Sequence, residues 1–237
     1  MQRRELIKST GSITLLSRMP ISHFAQTDKK LQSNIHNTAF TEKLSNLVTQ
    51  TTPVTCNGKE IKVHAIQTGM VAVKRAHRTN PTAHFLTPIK ISLDKHFTEF
   101  MPIWAWVIEH PEGNIVIDTG ENANIMHPDY FKPAGKIVAK YSKNNFKFNV
   151  SKENEIGVQL QKLGISNDSI KSVVLTHLHI DHTDGIKDFK SVEMIINKDE
   201  YKNPSGHFPK LVPDWFKPKT VKYKKDFIET FNEAYPL

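Results

Sequence analysis

Thr176-His177-Leu178-His179-Ile180-Asp181-His182 is the stretch whose reading decides the fold. It places three imidazoles and one carboxylate directly behind the apolar run Ser172-Val173-Val174-Leu175, which predicts a buried strand. Imidazole nitrogens and carboxylate oxygens are zinc ligands, and a strand end is a rigid place from which to present them. His177 and His179 lie two apart, so extended backbone turns both to the same side, where they can share one ion. Asp181 and His182 come just past the strand end, where a turn can swing them towards a second ion. Asp184-Gly185 follows at once and supplies such a turn, because glycine adopts backbone conformations closed to other residues.

Upstream, Pro102 to Gly120 predicts a hairpin with its turn at His110-Pro111-Glu112-Gly113-Asn114. Both arms are apolar on successive residues, which suits strands covered on both faces, as in a sandwich with outer helices. Asp118 ends the second arm at Thr119-Gly120, where its side chain can close an Asx-type turn. Ile61 to Val73 predicts a strand pair, or one long strand interrupted at Gly69. Residues 75–98 carry His77, His84 and His96 among Pro, Thr and Asn, with Asp94 the only carboxylate among them. Their irregular spacing makes a poor ligand set and predicts a surface loop over the site mouth.

Ser151 is placed to cap a helix whose stripe is Ile156, Leu160 and Leu163, with Gly164 to end it. Helix, short turn, buried strand and metal motif then follow in a βα-type layer order. Beyond the motif, Val192 to Ile196 predicts another strand, and Lys198 to Tyr201 starts a helix. Pro204, Gly206, Pro209, Pro213 and Pro218 interrupt the next stretch too often for anything but loop. Within it, Trp215 and Phe216 read as packing anchors.

THLHIDHTDG resembles the H-x-H-x-D-H signature of the metallo-β-lactamase superfamily, whose members are mostly zinc-dependent hydrolases built as an αββα sandwich. Val63 to Gly69 resembles the first strand of the lactonase-like branch, and Ile103 to Gly113 with Asn114 to Gly120 resembles its next hairpin. The likeness runs from about residue 60 to the C-terminus and points to relatives of the N-acyl-homoserine lactonases. It implies an α/β fold and two zinc ions, one on His177 and His179, the other on Asp181 and His182. It implies that Asp181 also relays a proton, and that Asp118 stands behind a ligand histidine and fixes it. The chemistry implied is opening of a lactone or related ester by a metal-bound hydroxide. In this family Phe85, Leu86 and Phe97 would fall on a substrate-facing loop.

The family draws further metal ligands from well downstream of its motif. Here His207 is the only later histidine, in a different context, and Leu237 ends the sequence. The resemblance therefore predicts the N-terminal half to two-thirds of the sandwich. It leaves two readings open: a lactonase-type hydrolase, or a C-terminally truncated, inactive remnant with a partial zinc site. An incompletely covered sheet would also favour self-association.

The 237 residues, 38% of them hydrophobic, suffice for one globular core. No run reaches the roughly 18 apolar residues of a membrane span. Cys56 stands alone, which excludes an intrachain disulfide and a multi-thiolate zinc site. The net charge of +8 is scattered, apart from Lys217, Lys219, Lys222, Lys224 and Lys225. That cluster reads as a solvated edge, and no nucleic-acid-binding motif accompanies it. At the N-terminus, Arg3-Arg4-Glu5-Leu6-Ile7-Lys8 resembles a twin-arginine export signal. Gly11 to Leu16 forms a weak apolar core, and Ala25 is a small residue for cleavage. Residues 1–26 thus read as an export signal, giving a periplasmic or secreted protein, or as a leader on a cytoplasmic one. Residues 27–59 read as a polar linker with one short helix near Phe40 to Leu47, and 60–237 as the metallo-β-lactamase-like domain.

Overall fold

The computed structural model describes residues 49–56, 58–79, 87–228 and 231–234. The leader, the helix expected near Phe40, and His84, Phe85 and Leu86 lie outside them. The chain divides into a unit Val48–Lys222 and a second formed by Met1–Leu47 with Tyr223–Leu237. The strands described in the second unit are the antiparallel pair Lys224–Ile228 and Phe231–Ala234.

The larger unit is built on an eight-stranded mixed sheet. Its strands are β1 (Thr49–Cys56), β2 (Lys59–Val73), β3 (Met101–Glu109), β4 (Asn114–Ile117), β5 (Phe146–Asn149), β6 (Ile170–Leu175), β7 (Glu193–Asn197) and β8 (Lys219–Val221). The order is β1-β2-β3-β4-β6-β7-β8, with β5 paired to the far end of β2. β1 to β4 run antiparallel, β1–β2 and β3–β4 through short turns and β2–β3 through a long connection, whereas β4, β6, β7 and β8 are parallel and need crossovers. The mixed sheet with helices agrees with the α/β class expected, and the β3–β4 hairpin forms where its turn residues predict.

β2 is one strand whose pairing with β3 shifts register between Gln67 and Gly69. Glycine is required there, because a Cβ would stand 2.7 Å from Val150 Cγ2. Two sequence expectations need correction. The polar linker does not reach residue 59: β1 pairs with β2 along its whole length. Its Thr- and Val-rich sequence suits an edge strand, and an edge also tolerates Pro53. Nor is 75–98 wholly loop, since α1 (Arg75–Thr79) and α2 (Thr87–Leu93) form within it. The Asp94 carboxylate accepts from the Ala76 amide at 2.7 Å, and Ile91 alone on α2 is buried, too few apolar positions to show a period.

The remaining helices are α3 (Lys136–Asn145), α4 (Ile156–Lys162), α5 (Ile180–Thr183) and α6 (Lys198–Lys202). Ser151 does not cap α4. It precedes a 3-10 turn, Lys152–Asn154, and α4 starts after Glu155. The predicted stripe survives this shift: Ile156 and Leu160 are fully buried and Leu163 packs against them. They join Ile66, Ala105, Val107, Val116, Val173, Leu175, Ile186 and Phe189 in one core. Trp215 and Phe216 pack on that cluster, as anchors should. The parallel strands β4 and β6 therefore stand on a rigid base, and the site lies just past their C-terminal ends.

Candidate metal centre

β6 ends at Leu175, and Thr176 to His179 continue into α5, with His179 as its extended N-cap. The motif thus spans a strand exit and one helical turn. Leu178 between the histidines is buried in the core, which pins the segment and leaves both imidazoles facing outward. The His177 ring centroid lies 4.5 Å from that of His179 and 3.9 Å from that of His182. Asp181 Oδ2 is 3.6 Å from His182 Nε2. The four side chains singled out from sequence are therefore brought together.

Asp118 holds this cluster from behind. It sits at the exit of β4 with φ +56°, the one non-glycine residue with positive φ among the described residues. Aspartate tolerates that conformation better than most residues. Its Oδ1 accepts from the Thr176 amide, and its Oδ2 accepts from both the Thr176 hydroxyl and His182 Nδ1, all at 2.8 Å. The Thr176 hydroxyl spends its proton on Asp118, so at 3.0 Å it accepts from His177 Nδ1. One carboxylate thus fixes two tautomers, and the Nε2 lone pairs of His177 and His182 are left free. The same loop carries the backbone of α5: Thr119 donates to the His182 carbonyl through both its amide and its hydroxyl, each at 2.9 Å.

Electrostatics divide the histidines. Burial and the neighbouring His182 and His179 lower the His177 pKa, which favours the neutral, ligating form. For His182 burial also disfavours the cation, but the Asp118 hydrogen bond and the Asp181 charge outweigh it, and its pKa is raised. His179 is held differently. A Cβ on Gly206 (φ +63°) would stand 2.7 Å from its Cδ2 and 2.8 Å from its Nε2. The Gly206 backbone therefore lies against that edge of the ring.

Three groups near the motif were not legible as site residues. Glu121 follows Asp118-Thr119-Gly120 and is completely buried, with neither carboxylate oxygen hydrogen-bonded. Burial, then the charges of Asp184 and Asp181, push its pKa well above the usual carboxylate range. Asp184 is a brace: its carboxylate accepts from Tyr130 Oη at 2.6 Å, Lys187 Nζ at 2.9 Å and the Asn122 amide at 3.3 Å. Burial and Asp184 raise the Tyr130 hydroxyl pKa. His207 does not join the four donors. It shares a small pocket with Leu178, Ile180 and Leu211, and its Nδ1 is buried without a partner.

A cleft of about 560 Å³ opens beside His179 and Asp181. Phe131, Ile137, Tyr141, Phe146, Phe148 and Phe208 form its largely apolar wall, and His77 stands at its rim.

The sequence model described as the metallo-beta-lactamase superfamily matches residues 98–226, more than half the chain. The chain belongs to the metallo-β-lactamase superfamily. Among curated members of the superfamily it is 29% identical over 124 residues to the N-acyl homoserine lactonase AiiB of Agrobacterium fabrum, covering 52% of this chain and 42% of that one. It is 33% identical over 117 residues to the N-acyl homoserine lactonase AttM of Azorhizobium caulinodans, covering 49% and 40%. The chain thus spans less than half the length of these relatives. In three dimensions it resembles an N-acyl homoserine lactone hydrolase solved with the product N-hexanoyl-L-homoserine at its catalytic metal center. The TM-score is 0.53 at 16% identity, covering 70% of this chain and 62% of that one, a likeness of fold.

The superfamily's chemistry asks whether these residues suit a metal ion. Imidazoles gathered beside a carboxylate are the donor types of a zinc site, and the Asp118 brace is the usual support for such ligands. Among the described residues, however, no group of three or more His, Cys, Asp or Glu side chains is arranged to hold a metal ion. Among the described residues, no helix is long and apolar enough to cross a membrane.

Proposed function

We propose that this chain is a zinc-dependent hydrolase of lactonase type, opening a lactone or related ester. The observation that carries the proposal is the Asp118 brace, which engages Nδ1 of His182 directly and of His177 through Thr176, so that Nε2 is the nitrogen each ring has left for a metal. His177 and His179 would hold one ion, and Asp181 and His182 a second. Bound zinc supplies a hydroxide at neutral pH and polarises the scissile carbonyl. Asp181 would move a proton towards the leaving oxygen as the ring opens. Leu178 and the Gly206 backbone keep the imidazoles from turning away, and the aromatic cleft takes the apolar arm of the substrate. The lactonase names of the relatives support the lactone over other acyl substrates. The Arg3-Arg4 leader adds a proposal of export, to be tested by fractionating cells that express the full chain.

A second reading, a partial zinc site without turnover, is favoured because no group of three or more such donors is arranged to hold a metal among the described residues. Zinc content after dialysis separates the two. About two tightly held ions per chain, lost in His177→Ala and Asp181→Ala, support the hydrolase. One loosely held ion supports the partial site, and unchanged zinc in both variants removes the motif assignment.

A further inference from the structure

Pairing of β6 with β7 ends at Leu175 and Ile196, so Leu178 lies beyond the reach of the neighbouring strand. Leu178 is nonetheless buried, and a buried amide or carbonyl left unpaired costs free energy. Two side chains stand where that strand would continue. Glu200 Oε1 accepts from the Leu178 amide at 3.1 Å. The His207 ring faces the backbone of the same residue. Burial lowers the His207 pKa, while the Leu178 carbonyl and the Glu200 charge favour its protonated form. Nδ1 of His207 is buried without a partner, so Nε2 is the nitrogen turned to that carbonyl.

Both side chains are themselves held. Glu200 lies in α6, which follows β7 directly and whose start is fixed by Asn197 Oδ1 accepting from the Asp199 amide at 2.7 Å. His207 lies between Gly206, whose backbone abuts the His179 ring, and Phe208, whose ring meets Phe131 at 5.9 Å in the cleft wall. Its pocket with Leu178, Ile180 and Leu211 leaves about 10 Å³ free, no more than a single water needs, so the ring is closely confined.

The two peptide groups flanking Leu178 lead to His177 and His179. Asp118 serves His182 directly and His177 through Thr176, which leaves His179 to be placed by its backbone and by Gly206. Burial of the Leu178 side chain anchors one point, and bonds to its N–H and C=O restrain rotation about that point. We propose that Glu200 and His207 clamp the Leu178 backbone and are positioning residues for the His177–His179 pair. The proposal rests on the zinc reading only for what that pair binds.

The test measures zinc affinity of the full chain by competition against a chelating dye. Glu200→Leu removes the acceptor, His207→Phe keeps a ring without nitrogens, and Glu200→Gln keeps a carbonyl that can accept from the Leu178 amide. Glu200→Leu and His207→Phe should each weaken zinc binding about tenfold, the low end for lost ligand supports. Glu200→Gln should keep most of the affinity. Leu160→Ala serves as a variant destabilised in the core. Unchanged affinity in Glu200→Leu and His207→Phe, or a loss no larger than in Leu160→Ala, overturns the clamp. Should Glu200→Leu fail to fold, His207→Phe carries the comparison. Long-range 1H–15N spectra of the metal-free chain read the same geometry without zinc. The His177 and His179 ring signals should shift in Glu200→Leu and His207→Phe and stay in place in Glu200→Gln. If the parent holds no zinc yet these signals respond in that pattern, the zinc reading falls and the clamp stands. Ring signals that ignore both substitutions remove the clamp whatever the zinc result.

Discussion

Replacing Asp118 with Asn tests the brace behind the histidines at nearly constant shape. Asparagine tolerates the φ of +56° as aspartate does, so the β4 exit is kept. Its carbonyl can take the place of Oδ1 and still accept from the Thr176 amide. The amide NH2 then stands where Oδ2 accepted two protons. The Thr176 hydroxyl can rotate to accept, but His182 Nδ1–H cannot. His182 must move its proton to Nε2, the atom that would bind metal.

Loss of charge-assisted bonds at this buried position should cost about 1.5–3 kcal/mol of stability. Zinc affinity should fall about 10–100-fold, as for other lost ligand supports, which is about 1.4–2.7 kcal/mol. Competition against a chelating dye gives the affinity, and long-range 1H–15N correlation spectra of the metal-free protein give the His182 tautomer. Unchanged zinc affinity with the proton still on Nδ1 would refute the brace.

Other outcomes follow from the same structure. Glu121→Gln should stabilise the fold at neutral pH. The folded carboxyl keeps a proton that the unfolded chain releases above about pH 4.5, so the parent loses about 1.4 kcal/mol per pH unit from there up to the raised folded pKa. Urea melts at pH 4.5 and 7 should show the variant's advantage growing with pH, and an advantage that shrinks contradicts the buried neutral acid. Leu160→Ala, which opens the core beneath β4 and β6, should cost about 2–5 kcal/mol in the same melts. Gly206→Ala would drive a methyl into the His179 ring and should weaken zinc binding more than it lowers the melting temperature, whereas a loss confined to stability assigns Gly206 a purely structural role.

What the sequence made legible was local. The β3–β4 hairpin, the Ile156–Leu160 stripe and the motif behind β6 each depend on residues within one or two turns of one another. Asp118 could be suspected from the Asp-Thr-Gly stop and the family likeness, but its three accepted bonds come from residues about sixty positions away. His77, Glu121 and Gly206 reach the site from three separate connections, and no periodicity marks them. β1 escaped because an edge strand can be Thr-rich and polar, without an apolar face to announce it. The α4 start was misplaced because Ser151 is a sound capping residue by type, while the chain first spends a 3-10 turn before Ile156 can reach the core.

The central claim is that ring opening depends on zinc held by this motif. The direct measurement is the rate of lactone hydrolysis by purified chain stripped of metal, then reloaded with zinc, beside His177→Ala treated identically. The account predicts hydrolysis that appears only with zinc and is absent in the variant. Equal rates with and without zinc, or an unaffected His177→Ala, would contradict it.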